Sequence, residues 1–339
     1  MLKSASRPVR IAFVGCGWMA LEHLDKMLLQ QDTTAIQVVC DPSDEAYHIF
    51  AEHFRRAGLQ PPPNEKDLDR LLHEHEGLLD AAFIVTPHAL HYEQTLACMK
   101  AGLDVLLEKP MVISAEEALG LMRACDLTGR LLVVAFQGSL SPQIRTASRM
   151  LHSGELGELL NIAGVTWQNW KEEKRGTWRM DPVLAGGGFL FDTGAHLLNT
   201  TADLAGEDFA EVAAWMDNRG TQVDILAVVM GRLKSGVMVS LTACGDTIPS
   251  CSSEIRVYCT GGILRTDMWG ELLELQRSGE KKLMPLKVAD SLGVWQQFLL
   301  VREGKIKNPC PPEVGLRMAR LWDAIVESSA RGGQMVHLS

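Results

Sequence analysis

This 339-residue sequence predicts two domains. An α/β domain on a doubly wound parallel sheet is followed by an α+β domain with a large, mostly antiparallel open sheet. Three observations carry that expectation. Short apolar runs alternate with amphipathic segments up to residue 136. From Ser141 the texture changes to successive β-rich runs joined by tight turns. The chain also exceeds the roughly 100–200 residues of one ordinary domain. Its composition, 46% hydrophobic and 22% charged, is that of a globular chain able to bury a core without disulfide or metal staples. The predicted division is 1–138 and 139–339.

In the first part, Arg10-Ile11-Ala12-Phe13-Val14 reads as a strand running into Gly15-Cys16-Gly17-Trp18-Met19-Ala20. Leu21, Leu24 and Leu28 then continue at helical spacing. Strand, glycine turn and helix are the context that gives G-x-G-x-x-A a physical meaning: Gly15 permits the turn, Gly17 lets backbone approach a pyrophosphate, and Ala20 allows close helix–strand packing. The helix N-terminus faces the phosphates. This is a Rossmann fingerprint. A second strand, Ile36 to Cys40, ends at Asp41, where an acid accepts ribose hydroxyls and repels a 2′-phosphate, so NAD is favoured over NADP.

The alternation continues with a helix through Ala46, Ile49, Phe50 and Phe54, ended by Pro61-Pro62-Pro63, and another through Leu68, Leu71 and Leu72. A strand from Ala81 to Val85 leads into Thr86-Pro87-His88 and a Leu90–Ala101 helix. Val105 to Leu107 leads into Glu108-Lys109-Pro110. Ser114 and Glu117 form a capping box for the next helix. Leu131 to Phe136 is expected as a sixth strand. Asp41, Thr86, His88, Lys109 and Gln137 fall just past strand ends, where open α/β sheets bind ligands.

The second part opens with a helix from Pro142 to Leu151. Strands follow at Leu160–Trp167, Val223–Arg232, Gly236–Thr242, Ile255–Cys259, Ile263–Thr266 and Leu272–Gln276. They are interrupted by a helix through Asp192 and His196, one turn apart on one face. A last amphipathic helix carries Val314, Met318, Leu321, Trp322, Ile325 and Val326. An open sheet of this kind needs a cover, from helices or a partner subunit.

The formal net charge is −9 and no long Lys/Arg run occurs, which argues against nucleic acid as a partner. The eight cysteines form no C-x-x-C pair. Cys244, Cys251 and Cys259 match no zinc spacing and are read as strand-buried free thiols, suited to a cytoplasmic enzyme. His88 and His91 have no third ligand nearby, so no metal is expected. Lys3, Arg7 and Arg10 precede only five apolar residues before Cys16, fewer than the roughly 7–15 of a signal-peptide core. No run approaches the ~20 residues of a membrane span.

Several motifs together resemble the Gfo/Idh/MocA group (glucose–fructose oxidoreductase and inositol dehydrogenase). They are G-C-G-W-M-A at 15–20, T-P-H-A-L-H at 86–91, E-K-P at 108–110, S-G-E-L-G at 153–157, W-R at 178–179 and G-G-G-F-L-F-D-T-G-A-H at 186–196. The resemblance implies an NAD(P)-dependent dehydrogenase of a sugar, cyclitol or polyol hydroxyl, forming a homodimer or homotetramer through the open sheet. It implies catalytic roles for Lys109 (holding the reacting oxygen), Asp192 (binding substrate) and His196 (general base). Cofactor contacts fall to Gly15, Gly17, Trp18, Met19, Ala20, Asp41, Thr86, Pro87, His88, His91, Glu108, Lys109 and Gln137. His88 stands where asparagine is frequent, and Gly138-Ser139-Leu140 where many relatives carry an arginine.

The chemistry agrees with these roles: an imidazole titrates near neutral pH, and an ammonium stabilises charge developing on oxygen. Trp178 and Arg179, with Trp167, Trp170, Lys171 and Arg175 nearby, make an aromatic and basic loop that suits either a sugar acid or a protein interface. The glycines at 186–188 are expected to give clearance to the nicotinamide. The alternatives of another class are an NAD-using glycoside hydrolase and a non-catalytic NAD-binding regulator.

Overall fold

The computed structural model describes residues 7–338 of the chain, so Lys3 lies outside it. Two compact units are present. One comprises residues up to 111, 116–135 and 292–312; the other comprises 112–115, 136–291 and the residues from 313 on.

The first unit is built on a five-stranded parallel sheet: β1 (Val9–Val14), β2 (Thr34–Cys40), β3 (Ala81–Ile84), β4 (Asp104–Leu107) and β5 (Leu132–Val134), in the order β2-β1-β3-β4-β5. Ile11 to Val14 and Ala81 to Ile84 are fully buried, as expected of parallel strands covered on both faces. The accompanying helices are α1 (Trp18–Met27), α2 (Asp44–Arg56), α3 (Leu68–Glu74), α4 (His91–Lys100) and α5 (Ala115–Thr128). Ser43 and Asp67 start α2 and α3 by accepting from Ala46 N at 3.1 Å and Arg70 N at 2.9 Å, each cap contributing about 1 kcal/mol.

The strand expected over 131–136 is the fifth of this sheet, not the sixth. Pro61-Pro62-Pro63 comes alongside β2 but forms only one parallel bridge, Val39 to Asn64. Prolines have no N–H to give a ladder, so no strand develops there.

The second unit holds a nine-stranded sheet. Its strands are β6 (Leu159–Gln168), β7 (Phe209–Asp217), β8 (Leu226–Leu233), β9 (Met238–Cys244), β10 (Cys251–Cys259), β11 (Gly262–Thr266), β12 (Leu273–Arg277), β13 (Met284–Pro285) and β14 (Val336–His337). They run in the order β13-β12-β11-β10-β6-β9-β8-β7-β14, antiparallel except for β6 beside β9. The helices are α6 (Gln137–Leu140), α7 (Pro142–His152), α8 (Trp170–Glu173), α9 (Pro182–Ala185), α10 (Phe189–Asp192), α11 (Gly194–Ala205) and, later in the chain, α13 (Pro312–Ala330).

The strand alternation sorts the two faces. Leu241 and Val257 turn inward under α11, where Gly164 leaves room for Leu197, and Val229 is buried on β8, which packs against α10. Trp215, Val228, Met230 and Met238 are 43–57% exposed. Strand β7 escaped the sequence reading because Phe209–Asp217 lacks clean alternation: Val212, Ala213 and Ala214 are buried in succession.

Two further expectations are corrected. A single division at 138 misses the return of residues 292–312 to the first unit. There α12 (Val294–Arg302) stacks Trp295 on Phe83 at 6.3 Å, bonds Trp295 Nε1 to Thr34 Oγ1 at 2.7 Å, and pairs Arg302 with Asp104 at 2.8 Å. The helix through Asp192 and His196 is two helices: Asp192 ends α10, and His196 lies in α11 beyond Thr193.

Candidate functional site

Because the first unit's sheet is parallel, the residues after β1, β2, β3 and β4 share its carboxyl edge. Gly15 turns at φ +93°, and a Cβ there would lie 2.3 Å from Val85 O, so only glycine fits. Gly17 differs: a Cβ would meet no protein atom within 4 Å. That open backbone at the head of a ten-residue helix suits an approaching phosphate. Trp18 is 63% exposed beside it, and Ala20 is fully buried.

Asp41 is buried at the end of β2. Its Oδ2 accepts from Cys16 N at 2.7 Å and its Oδ1 from Ser43 N at 2.8 Å, so the acid braces the glycine turn. A carboxylate has about four acceptor sites, which leaves capacity for a ribose hydroxyl. Burial first, then Asp41, pushes the Cys16 thiol far above its ordinary value, and burial likewise raises Cys40 to about 12. Both remain thiols, and among the described residues no group of three or more His, Cys, Asp or Glu could hold a metal ion. The described cysteines are all free; Cys259 is buried, whereas Cys251 is exposed and Cys244 intermediate, contrary to the expectation of buried thiols.

Beyond β3, Thr86 Oγ1 donates to Gln94 Oε1 at 2.6 Å, Pro87 precedes a short turn of helix, and His88 is buried. His91 is turned to the backbone of its own unit. It is wholly buried, with Nδ1 2.8 Å from Pro110 O and Nε2 2.9 Å from Thr86 O. Beyond β4, Glu108 and Lys109 are both buried. Glu108 Oε1 lies 2.6 Å from His23 Nε2 of α1, while Oε2 accepts from Lys109 N at 3.0 Å. The sequence reading passed over His23; a histidine on the buried face of the cofactor helix was the available signal.

In the second unit, Gln137 opens α6, and Gly138 packs where a Cβ would fall 2.6 Å from Met268 O. Ser139 reaches Asn199 (2.7 Å) and Asp203; Arg317 also pairs with Asp203, at 2.6 Å. Asp192 is buried, and its Oδ2 accepts from Trp170 Nε1 and from Arg179 Nε, both at 3.0 Å. The Arg179 guanidinium also lies over Trp178, 4.3 Å from the ring centre. Lys171 pairs with Asp246, and Arg175 with Glu172. The basic loop is therefore drawn onto the protein's own acids. His196 is buried with the Phe136 ring edge-on at 5.8 Å and Trp269 at 6.4 Å.

The glycine run is packed against its own unit. A Cβ on Gly187 would lie 2.5 Å from Phe191 and 2.6 Å from Trp322; one on Gly188 would lie 2.0 Å from Asp224 O. Asp224 itself accepts from Gly188 N at 2.5 Å and Leu190 N at 2.8 Å, and burial pushes its carboxyl above the usual range. The clearance expected for a nicotinamide is occupied by the Asp224 backbone. Nothing in the residues around Asp224 signalled that role.

A glycine turn opening a helix, with an acid ending the next strand, defines a dinucleotide-binding α/β protein. Residues 9–136 match the model of the oxidoreductase family with an NAD-binding Rossmann fold, and residues 144–265 match the GFO/IDH/MocA C-terminal domain. The chain is 34% identical to the scyllo-inositol 2-dehydrogenase (NADP(+)) of Bacillus subtilis (strain 168), over 74% of this chain and 77% of that one. It is 28% identical to a D-xylose 1-dehydrogenase [NADP(+)] of Haloarcula marismortui, over 60% of this chain and 56% of the relative. Among solved structures, an inositol dehydrogenase homolog complexed with NAD+ from Azotobacter vinelandii superposes with a TM-score of 0.83 at 20% identity, covering 99% and 98% of the two chains. The chain belongs to the Gfo/Idh/MocA oxidoreductase family.

Proposed function

We propose that this chain is an NAD-dependent dehydrogenase acting on a secondary hydroxyl of a cyclitol, sugar or related polyol. The observation that carries the reading is the shared edge of the first unit's sheet. The open Gly17 backbone, Asp41 and the buried Lys109 all stand there, past the ends of β1, β2 and β4. Gly15, Gly17 and the α1 N-terminus hold the pyrophosphate, and Asp41 the adenosine ribose. The nicotinamide, when bound, supplies the hydride acceptor.

The chain's own groups manage the proton and the charge. Lys109 holds the reacting oxygen and stabilises negative charge developing on it. His196 takes the hydroxyl proton, shielded from water by Phe136 and Trp269. Asp192, oriented by Trp170 and Arg179, binds a neighbouring hydroxyl. Because Arg179 is committed to Asp192, Arg179→Ala should weaken neutral and acidic substrates alike, not acidic sugars selectively.

Turnover on myo-inositol, scyllo-inositol, D-xylose and D-glucose with NAD and with NADP, followed by the absorbance of the reduced nicotinamide, tests the reading. Cleavage of a glycoside with no net reduction would overturn it. Asp41→Asn removes the charge that opposes a 2′-phosphate and leaves one acceptor oxygen where Cys16 N and Ser43 N now use two, so the readout is the ratio of the two cofactors and not NAD turnover alone. The ratio of kcat/KM with NAD to that with NADP should fall on the order of tenfold; an unchanged ratio removes Asp41 from cofactor selection.

Among the described residues no helix is long and apolar enough to cross a membrane. Eight free cysteines suit the cytoplasm. The exposed Val228, Met230 and Met238 support a homodimer or homotetramer formed through this face. Met230→Glu should then yield a monomer by light scattering, whereas an unchanged mass would exclude this face.

A further inference from the structure

Lys109 lies in a loop, where backbone alone does not hold a side chain to the tolerance that catalysis needs. Both of its chain neighbours are gripped by buried histidines. On one side, the Glu108 carboxylate is bound by His23 Nε2 at 2.6 Å and by the Lys109 N–H at 3.0 Å, with both side chains under one-tenth exposed. On the other side, Pro110 O lies 2.8 Å from His91 Nδ1. His91 also reaches Thr86 O at 2.9 Å, so one ring spans the loops after β3 and β4.

The neutral imidazole has one proton for two carbonyl acceptors. Burial lowers the His91 pKa, which keeps the ring neutral at pH 7 and forces a choice. The Pro110 contact is fully buried and the Thr86 contact only partly so. An unmet buried carbonyl costs more than one that water can reach. The proton therefore belongs on Nδ1.

We propose that His91, as the Nδ1–H tautomer, and His23, acting through Glu108, are positioning residues that clamp Lys109 from both chain neighbours. This rests on the reading of Lys109 as the residue that holds the reacting oxygen. His23 further ties the lysine to α1, the helix headed by the glycine turn, so the cofactor loop and the lysine share one brace.

The amide nitrogen of asparagine reaches the place of Nδ1, and that of glutamine the place of Nε2. His91→Asn should therefore keep kcat within a few-fold of wild type, while His91→Gln should lower it on the order of tenfold to a hundredfold. NAD affinity, read by tryptophan fluorescence, should stay within a few-fold in both. On the other side, His23→Gln should retain turnover that His23→Ala loses. Nitrogen-15 histidine spectra of the full chain, with His91→Gln for assignment, should show the proton on Nδ1. A proton on Nε2, or equal kcat in the asparagine and glutamine variants, would overturn the clamp. Lys109→Ala separates the two claims. Near wild-type turnover in that variant removes the catalytic reading itself. Collapse of Lys109→Ala, with His91→Gln and His23→Ala both turning over normally, removes only the clamp.

Discussion

Lys109→Ala is expected to lower kcat by about 10²–10⁴, the range of a positioned acid–base or charge-stabilising group, while leaving NAD affinity within a few-fold. The lysine is buried at the end of β4, so its loss removes a charge that water does not replace at the same place. His196→Ala should fall in the same range. Lys109→Arg should not rescue, since a planar fork cannot occupy the space of a compact ammonium. Steady-state kinetics on the best substrate of the panel, with bound NAD titrated separately, decides the matter. Turnover within a few-fold of wild type in either single variant would refute the assigned role.

Gly188→Ala is the second large effect, and it should appear in stability. A Cβ there would stand 2.0 Å from Asp224 O and 2.6 Å from Asp224 N, backbone atoms that no rotamer change can move. The substitution would push away the loop whose carboxylate caps Gly188 N and Leu190 N at the head of α10. Overpacking of this kind costs about 3 kcal/mol, a fall in Tm of roughly 4 °C for a chain of this size. Gly17→Ala provides the contrast, having no protein atom within 4 Å of its Cβ. It should keep the wild-type Tm and lose NAD affinity. Calorimetry beside NAD titration distinguishes them. A wild-type Tm for Gly188→Ala with weakened ligand binding would restore the glycine run to the ligand.

Much of the first unit was legible because its signals are local. Val9–Val14, the glycine turn and Trp18–Met27 follow one another in sequence, and each residue type has one physical reason to be there. Asp41 and Lys109 were found the same way, as chemistry standing just past apolar runs. Phe209–Asp217 was missed because its buried alanines blur the period of two. The Val294–Arg302 helix was missed because its apolar residues form no clean stripe, and nothing local says which sheet it joins.

By itself the sequence determined the strand–helix alternation of the first unit, the parallel sheet, the glycine turn and the candidate groups Lys109, Asp192 and His196, since propensity, periodicity and turn chemistry act over a few residues. The tertiary structure alone decided what those groups touch. His91 moved from a cofactor contact to a buried strut on Thr86 and Pro110, Arg179 from a substrate contact to a partner of Asp192, and the glycine run from ligand clearance to a seat for Asp224. Each depends on a partner between 5 and 36 positions away in the chain. Which polar groups share one desolvated spot is settled by packing, and packing has no local signature.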